Sequence, residues 1–360
     1  MDLLKEAREE INQVDEEMAK LFVRRMRAVE KVAKYKKEHG IPVLDSSRED
    51  QVIRKNSALV EDEELRAYYV NYIQNNMAIS RAYQHKLLEG MKVAYCGTQG
   101  AFAHIATGKL FPTAERIAYG DFEAAYRAVE RGDCDAAVLP VENSYNGEVG
   151  QVTDLMFFGN LYINALTELA VTQDLLVVPG TKIEDIKEII SHPQALGQCA
   201  EYIRAQGWTQ HEYSNTALAA KYVAGKADKT VAAIASKEAA QIFGLEVLAQ
   251  NINSSRNNTT RFAVFSRSEN KRTQDPSEMF TLMFTVKNEA GSLAKAIDVI
   301  GRYGFNMRCL RSRPMKELMW QYYFYVEAEG CFHSPAGEAM MRDLCIFCDR
   351  LKMVGTYSKG

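Results

Sequence analysis

The 360-residue chain predicts a three-part protein: an all-α N-terminal segment, a central α/β segment and a small α+β module at the C-terminus. Three observations carry this. Apolar residues at helical spacing run from Leu4 past Val32, with no Pro or Gly before Gly40. From about Glu89 and Gly90, short β-branched runs alternate with helical stretches. Beyond a polar linker at 266–277 the order becomes strand, helix, strand, strand, helix.

The elements follow in order. Residues 1–88 read as three helices. The first carries the stripe Leu4, Ile11, Val14, Met18, Leu21, Phe22, Val29 and Val32. Asp45 and Ser46 signal the second, with Ser46 and Glu49 fitting a capping box. Residues 91–268 offer strands at 93–95, 136–141, 169–178, 189–191, 231–234 and 262–265. Residues 278–357 give strands at 280–286, 306–312 and 320–327 and helices at 292–303 and 335–351, with 354–357 available as a last strand. That order fits a ferredoxin-like module.

A net charge of −3 with 25% charged residues gives no reason to expect nucleic acid as a partner. No apolar run reaches the roughly 18 to 20 residues of a membrane span, and no signal-peptide core opens the chain, so a cytoplasmic protein is expected. The seven cysteines are odd in number and scattered, unlike a disulfide framework. Cys345 and Cys348 form a C-x-x-C inside a helical pattern with Met341, Leu344 and Leu351. They read as buried small apolar residues, and with no second pair at zinc spacing neither a metal nor a cofactor is expected.

Arg25 and Lys36 lie eleven positions apart, about three helical turns, so they share an azimuth some ~16 Å apart, and their long arms can converge on one small dianion. Arg8 precedes Arg25 by about 25 Å, too far to touch the same molecule. Either it is surface charge, or it completes the site of a second copy across paired helices. Ser80 and Gln84, four apart, share a helix face.

The set Leu4, Arg8, Ile11, Asp15, Arg25, Lys36, Asp45, Arg48, Glu49, Ser80 and Gln84 resembles the all-helical chorismate mutases over the whole first segment. The resemblance implies a dimer with interlaced helices that rearranges chorismate to prephenate, Arg8 serving the partner's site. Arg8, Arg25 and Arg48 would fork onto the two carboxylates, and Lys36 and Gln84 would donate to the breaking ether oxygen. Ser80, Asp45 and Glu49 would hold the substrate, the acids orienting Lys36 or Arg48.

In the second segment, polar motifs fall at predicted strand ends, where open α/β sheets place ligands. The runs V-A-Y-C-G-T-Q-G-A-F-A at 93–103, L-P-V-E-N-S at 139–144, S-H-P-Q at 191–194 and T-R-F at 260–262 resemble prephenate dehydratase across residues 92–268. The resemblance implies a two-lobed, periplasmic-binding-protein-like α/β fold that turns prephenate into phenylpyruvate in the cleft between lobes. Thr260 would assist loss of the ring hydroxyl, Asn143, Ser191 and Gln198 would place the substrate, and Glu142 and His192 would support them. A mostly neutral set suits this chemistry, because a tight cationic clamp on the departing carboxylate would favour the ground state.

The last segment resembles an ACT regulatory domain, which in the dehydratase family binds phenylalanine at a dimer interface. Gly291, Ser292, Leu293 and Ala294 stand where G-A-L-V is common, and Arg311, Ser312, Arg313 and Pro314 where E-S-R-P is. Arg311 reverses the charge of the usual glutamate. The expectation is therefore a bifunctional, feedback-inhibited enzyme of phenylalanine biosynthesis, a homodimer or higher homo-oligomer acting on chorismate and prephenate. The rival from another class is a small-molecule sensor, since fold alone does not separate the two.

Overall fold

The computed structural model describes residues 3–254, 258–270, 278–315 and 321–358, in two compact units, Met1–Met91 and Lys92–Gly360. Trp320 and residues 271–277 of the expected linker lie outside the described residues.

The first unit is three helices, α1 (Leu3–His39), α2 (Ser46–Ser57) and α3 (Glu63–Glu89). All of residues 3–24 are exposed, including the apolar side chains of Leu4, Ile11, Val14, Met18, Leu21 and Phe22. The second half of α1 packs on α3 around buried Ala33 and Met77. The capping box expected at Ser46 and Glu49 does not form. Asp45 is the cap, its carboxylate accepting from the Arg48 N–H at 3.0 Å, and Ser46 is already helical. A charged carboxylate at that position also complements the helix dipole. Glu49 is thereby left to pair with Arg81 of α3.

The second unit begins β1 (Lys92–Cys96), α4 (Phe102–Leu110), β2 (Glu115–Tyr119), α5 (Phe122–Arg131), β3 (Ala136–Asn143), β4 (Gly147–Glu148), α6 (Gly150–Phe158) and β5 (Tyr162–Ala170). The chain then crosses into a second sheet: β6 (Asp174–Val177), β7 (Glu188–Ser191), α7 (Pro193–Gln198), α8 (Ala200–Gln206), β8 (Thr209–Glu212), α9 (Thr216–Lys226), β9 (Val231–Ala235), α10 (Lys237–Phe243) and β10 (Glu246–Ala249). It returns through β11 (Thr259–Ser266) to the first. The second sheet has the order β10-β6-β9-β7-β8, and in the first β11 lies antiparallel between β3 and β5. The single strand expected over 169–178 is therefore two strands in different sheets, broken at residues 171–173. Polar Thr172, Gln173 and Asp174 separate the apolar residues 169–171 from 175–178 and mark the crossing, a break that reading the whole run as one strand passes over. Of the strands that escaped the sequence, β2, β8 and β10 lie at sheet edges, where few apolar residues are needed, and β4 is a two-residue strand beside β3; residues 162–168 of β5 also escaped, although that strand lies inside the sheet.

The chain ends with β12 (Glu278–Val286), α11 (Ser292–Arg302), β13 (Asn306–Pro314), β14 (Tyr322–Glu329), α12 (Pro335–Phe347) and β15 (Cys348–Ser358), its sheet ordered β13-β14-β12-β15. The helix expected to reach Leu351 stops at Phe347, and Leu351 packs inward from a strand instead. Cys345 is exposed and Cys348 half-buried, so the expectation of two buried thiols was wrong for this pair.

Gly355 of β15 pairs in parallel with Ile163 of β5, which fuses this sheet with the first into ten continuous strands. A Cβ on Gly355 would sit 2.0 Å from the Ile163 carbonyl oxygen, so only glycine allows the approach. Gly355→Ala should lower stability by about 1–3 kcal/mol. An unchanged urea midpoint would show that the seam tolerates a side chain.

The seam is held beside this pair as well. Phe157 stacks on Tyr323 with ring centroids 4.3 Å apart, and Lys352 caps the C-terminus of α6 through the Met156 carbonyl at 2.5 Å and that of Gly159. Burial, with Arg350 nearby, pulls the Lys352 pKa from 10.5 down to about 8. The unfolded chain then binds more protons between pH 8 and 10.5, so this lysine's contribution to stability rises across that window. Relative to Lys352→Met, the native protein should gain on the order of 2 kcal/mol from pH 8 to 10.5, a value discounted for partial solvent access. Parallel unfolding curves at all pH values would contradict it.

Candidate active sites

In the helical unit the second half of α1 brings Arg25 against α3. Its guanidinium donates to the Ser80 hydroxyl and, at 3.2 Å, to the Asn76 carbonyl. Ser80 passes its own hydrogen to Asn76 O at 2.8 Å. One turn on, buried Gln84 donates from Nε2 to the Ser80 carbonyl at 3.3 Å, and its Oε1 has no partner. Arg25, Ser80 and Gln84 thus form one cluster, with Ser80 and Gln84 on one helix face as their spacing predicts.

The remaining expected residues surround it less directly. Lys36 bonds the Val43 carbonyl at 2.6 Å, in the segment leading to α2. Arg48 and Arg8 are exposed. Asp45 is occupied as a cap, and Glu49 pairs with Arg81 rather than with Lys36 or Arg48. Arg81 was missed because nothing in its own spacing distinguishes it from surface charge on α3.

In the second unit two of the strand-end motifs meet, L-P-V-E-N-S and T-R-F. The Asn143 amide oxygen accepts from the backbone N–H groups of Tyr145 and Asn146, both at 3.0 Å, which fixes which end of the amide is nitrogen. That nitrogen donates to Thr260 Oγ1 at 2.9 Å and to Asn258 Oδ1 at 2.8 Å. With its oxygen already accepting, the Thr260 hydroxyl keeps its hydrogen for a ligand.

Ser191 is fully buried and donates to the Ile234 carbonyl at 2.5 Å. His192 caps α7, its Nδ1 accepting from Gln194 N–H at 3.3 Å. Gln198 Oε1 accepts from Gln173 Nε2 at 3.5 Å. In the loop after β1, Gly100 packs against Ala217 and Phe243, its N–H donates to His104 Nδ1 and its carbonyl accepts from Ser236, so the two sheets touch there. Burial, with Arg116 nearby, lowers the His104 pKa.

Buried side-chain atoms without a protein partner gather in these same segments: Thr98 Oγ1, Gln173 Oε1, Gln198 Nε2 and Asn258 Nδ2. Each costs about 1–3 kcal/mol if nothing satisfies it, so together they mark a site built for a polar ligand. Sequence reasoning named only Gln198 among them. Asn258 lies two residues before Thr260, just outside the T-R-F motif, and Gln173 sits in the polar break where the chain crosses between sheets.

Glu142 and Arg261 face away from that cluster, as alternation along strands requires. Arg261 pairs with Glu142 at 3.1 Å and with Glu327 of β14 at 3.2 Å, and Arg311 of β13 also pairs with Glu142. Burial opposes the charge on Arg261, but the two carboxylates hold its pKa above the ordinary value. Arg313 on the same face of β13 meets Glu148 and Asp154.

Ser312 and Pro314 point the other way and are exposed. Gly291 caps α11 in the left-handed region, followed by Ser292 and Ala294, and Leu293 lines a cavity of about 500 Å³ with Lys287, Asn288, Phe324 and Arg350. Of the four expected loop residues only Leu293 lines this cavity, and Arg311 and Arg313 are engaged elsewhere. Among the described residues no cluster of three metal-ligating side chains occurs, and no helix is long and apolar enough to cross a membrane.

Residues 93–270 match the family model for prephenate dehydratase and residues 7–85 that for chorismate mutase type II. A bifunctional chorismate mutase/prephenate dehydratase of Neisseria gonorrhoeae is 30% identical over 99% of this chain and 97% of its own length. Arogenate dehydratase 2 of Petunia hybrida is 34% identical over 74% of this chain and 71% of its own. The crystal structure of a prephenate dehydratase from Arthrobacter aurescens in complex with L-Phe superposes with a TM-score of 0.69 at 26% identity, covering 75% of this chain and 90% of that one.

Proposed function

The chain belongs to the bifunctional chorismate mutase/prephenate dehydratase family, and from that premise we propose how its two reactions and their control fall to the residues above. It rearranges chorismate to prephenate and converts prephenate to phenylpyruvate on the way to phenylalanine. What carries the assignment is that the two family matches fall in separate compact units, each containing one of the side-chain clusters just described.

The mutase step is unimolecular and needs neither nucleophile nor proton transfer, so catalysis reduces to holding a compact conformer and stabilising charge on the breaking ether. Arg25 and Arg48, with Arg8 from a second copy, grip the two carboxylates. Lys36 and Gln84 donate to the ether oxygen, the Gln84 amide having a second hydrogen beyond the one given to Ser80. Ser80 braces Arg25, and Asp45 and Glu49 position the α2 end of the site. A dimer is favoured by the exposed apolar stripe of α1, which a second copy would cover.

In the dehydratase step the bond to the ring carboxylate breaks, its electron pair enters the ring, the C–O bond breaks and the hydroxyl leaves as water after taking one proton. Thr260, its oxygen held by Asn143, hydrogen-bonds that hydroxyl. Ser191 and Gln198 place the ring, His192 fixes the start of α7, and Glu142 braces β3 from behind through Arg261.

The C-terminal module is read as a ferredoxin-like ACT domain that binds phenylalanine. Its strand order, the cavity beside Leu293 and the L-Phe complex of the Arthrobacter relative support this. Equilibrium dialysis with labelled phenylalanine tests it, and absence of saturable binding would leave the module a dimerisation element. A cytoplasmic location belongs to the same reading, supported by seven unpaired thiols.

The whole assignment is tested by supplying chorismate and following both products. Both prephenate and phenylpyruvate should form, whereas accumulation of prephenate alone would remove the second half.

A further inference from the structure

We propose that Asn258 is a further substrate-contacting residue of the dehydratase site, donating from Nδ2 to the ring hydroxyl of prephenate beside Thr260. The inference rests on the reading that this cluster binds prephenate. Tyr145 and Asn146 N–H groups donate to Asn143 Oδ1, so Asn143 must present its nitrogen to Asn258 and Thr260. Asn258 must then meet it with Oδ1, which leaves its own Nδ2 turned outward.

Among the described residues that nitrogen has no protein partner, although Asn258 is only 4% exposed. Native chains seldom leave such a donor unsatisfied without a reason. A second pair repeats the pattern nearby. Gln173 and Gln198 bond each other and leave one atom each unsatisfied, and the Ile252 N–H to Gln173 O and Val171 N–H to Asn258 O hydrogen bonds lace both pairs into the strands that cross between the sheets.

The location defines the ligand atom. Asn258 Oδ1 and Thr260 Oγ1 share one donor nitrogen at 2.8 and 2.9 Å, so both side chains stand at the same end of the ring. A leaving hydroxyl has two lone pairs and gains negative character as its C–O bond lengthens. A second neutral donor there strengthens in the transition state more than in the ground state, so its loss should register in kcat. A neutral amide also avoids a fixed charge near the departing carboxylate.

Asn258→Asp keeps the acceptor that Asn143 needs, replaces the unpartnered donor with an acceptor oxygen and adds a negative charge. Its kcat for prephenate dehydration should fall about 100-fold, with the chorismate mutase rate unchanged. Asn258→Ala, which adds no charge, should also lose most of its kcat while KM for prephenate moves less than about threefold. If Asn258→Ala loses activity but Asn258→Asp retains it, the residue only holds Asn143 in place and the proposal fails. Full activity in both variants overturns it as well. Thr260→Ala run alongside separates the levels: inactive Thr260→Ala with active Asn258 variants sinks this inference alone, whereas activity in all three sinks the site reading beneath it.

Discussion

Replacing Thr260 with Ala should lower phenylpyruvate formation by about 10²- to 10³-fold while prephenate formation from chorismate continues at its native rate. The loss follows from geometry. Asn143 holds Thr260 Oγ1 as an acceptor, so the hydroxyl's hydrogen is the one aimed at substrate, and an alanine leaves no donor on that strand position. Thr260 is 9% exposed and its side chain is small, so the cavity left behind is slight and the fold should survive. Thr260→Ser, which restores a hydroxyl, should recover most of the activity. If the alanine variant keeps both rates, the role of Thr260 is wrong. If it loses both, the variant is misfolded and the serine variant decides.

The mirror experiment is Arg25→Ala. Mutase kcat/KM should drop about 10²- to 10³-fold, and dehydration of supplied prephenate should not change, since Arg25 belongs to the other compact unit. Arg25 is the one guanidinium seen gripping both Ser80 and the Asn76 carbonyl, so its fork is already oriented before substrate arrives. Arg25→Lys keeps the charge but loses the planar fork and should recover only a small part. Equal activity in the lysine and native proteins would mean that charge alone matters and that the bidentate argument is mistaken.

Where sequence could be read, it was read through periodicity. The rod of α1 is legible because 37 residues pass without a breaker. Thr260 and Asn143 were legible because they stand in compact motifs, and the structure joins those motifs by a hydrogen bond across 117 positions of chain. Edge strands escaped because their faces are polar, and the crossing at residues 171–173 is marked only by polar Thr172, Gln173 and Asp174 between two apolar runs, a break too short to tell an irregular strand from a change of sheet. Asn258 was invisible for a different reason: its significance is the outward direction of one amide nitrogen, set by a chain of bonds that begins at Tyr145. Arg311 shows the same limit. The sequence shows only that it reverses the charge of the usual glutamate, whereas in the fold the side chain makes an ion pair with Glu142, next to Asn143.

The ten-strand sheet has a practical consequence for any attempt to cut the C-terminal module away. Its excision would bare the β5 edge at Ile163, strip Tyr323 from Phe157 and leave Arg261 with half of its counter-charge. Such a truncation would yield a sticky, weakened protein rather than a freestanding dehydratase.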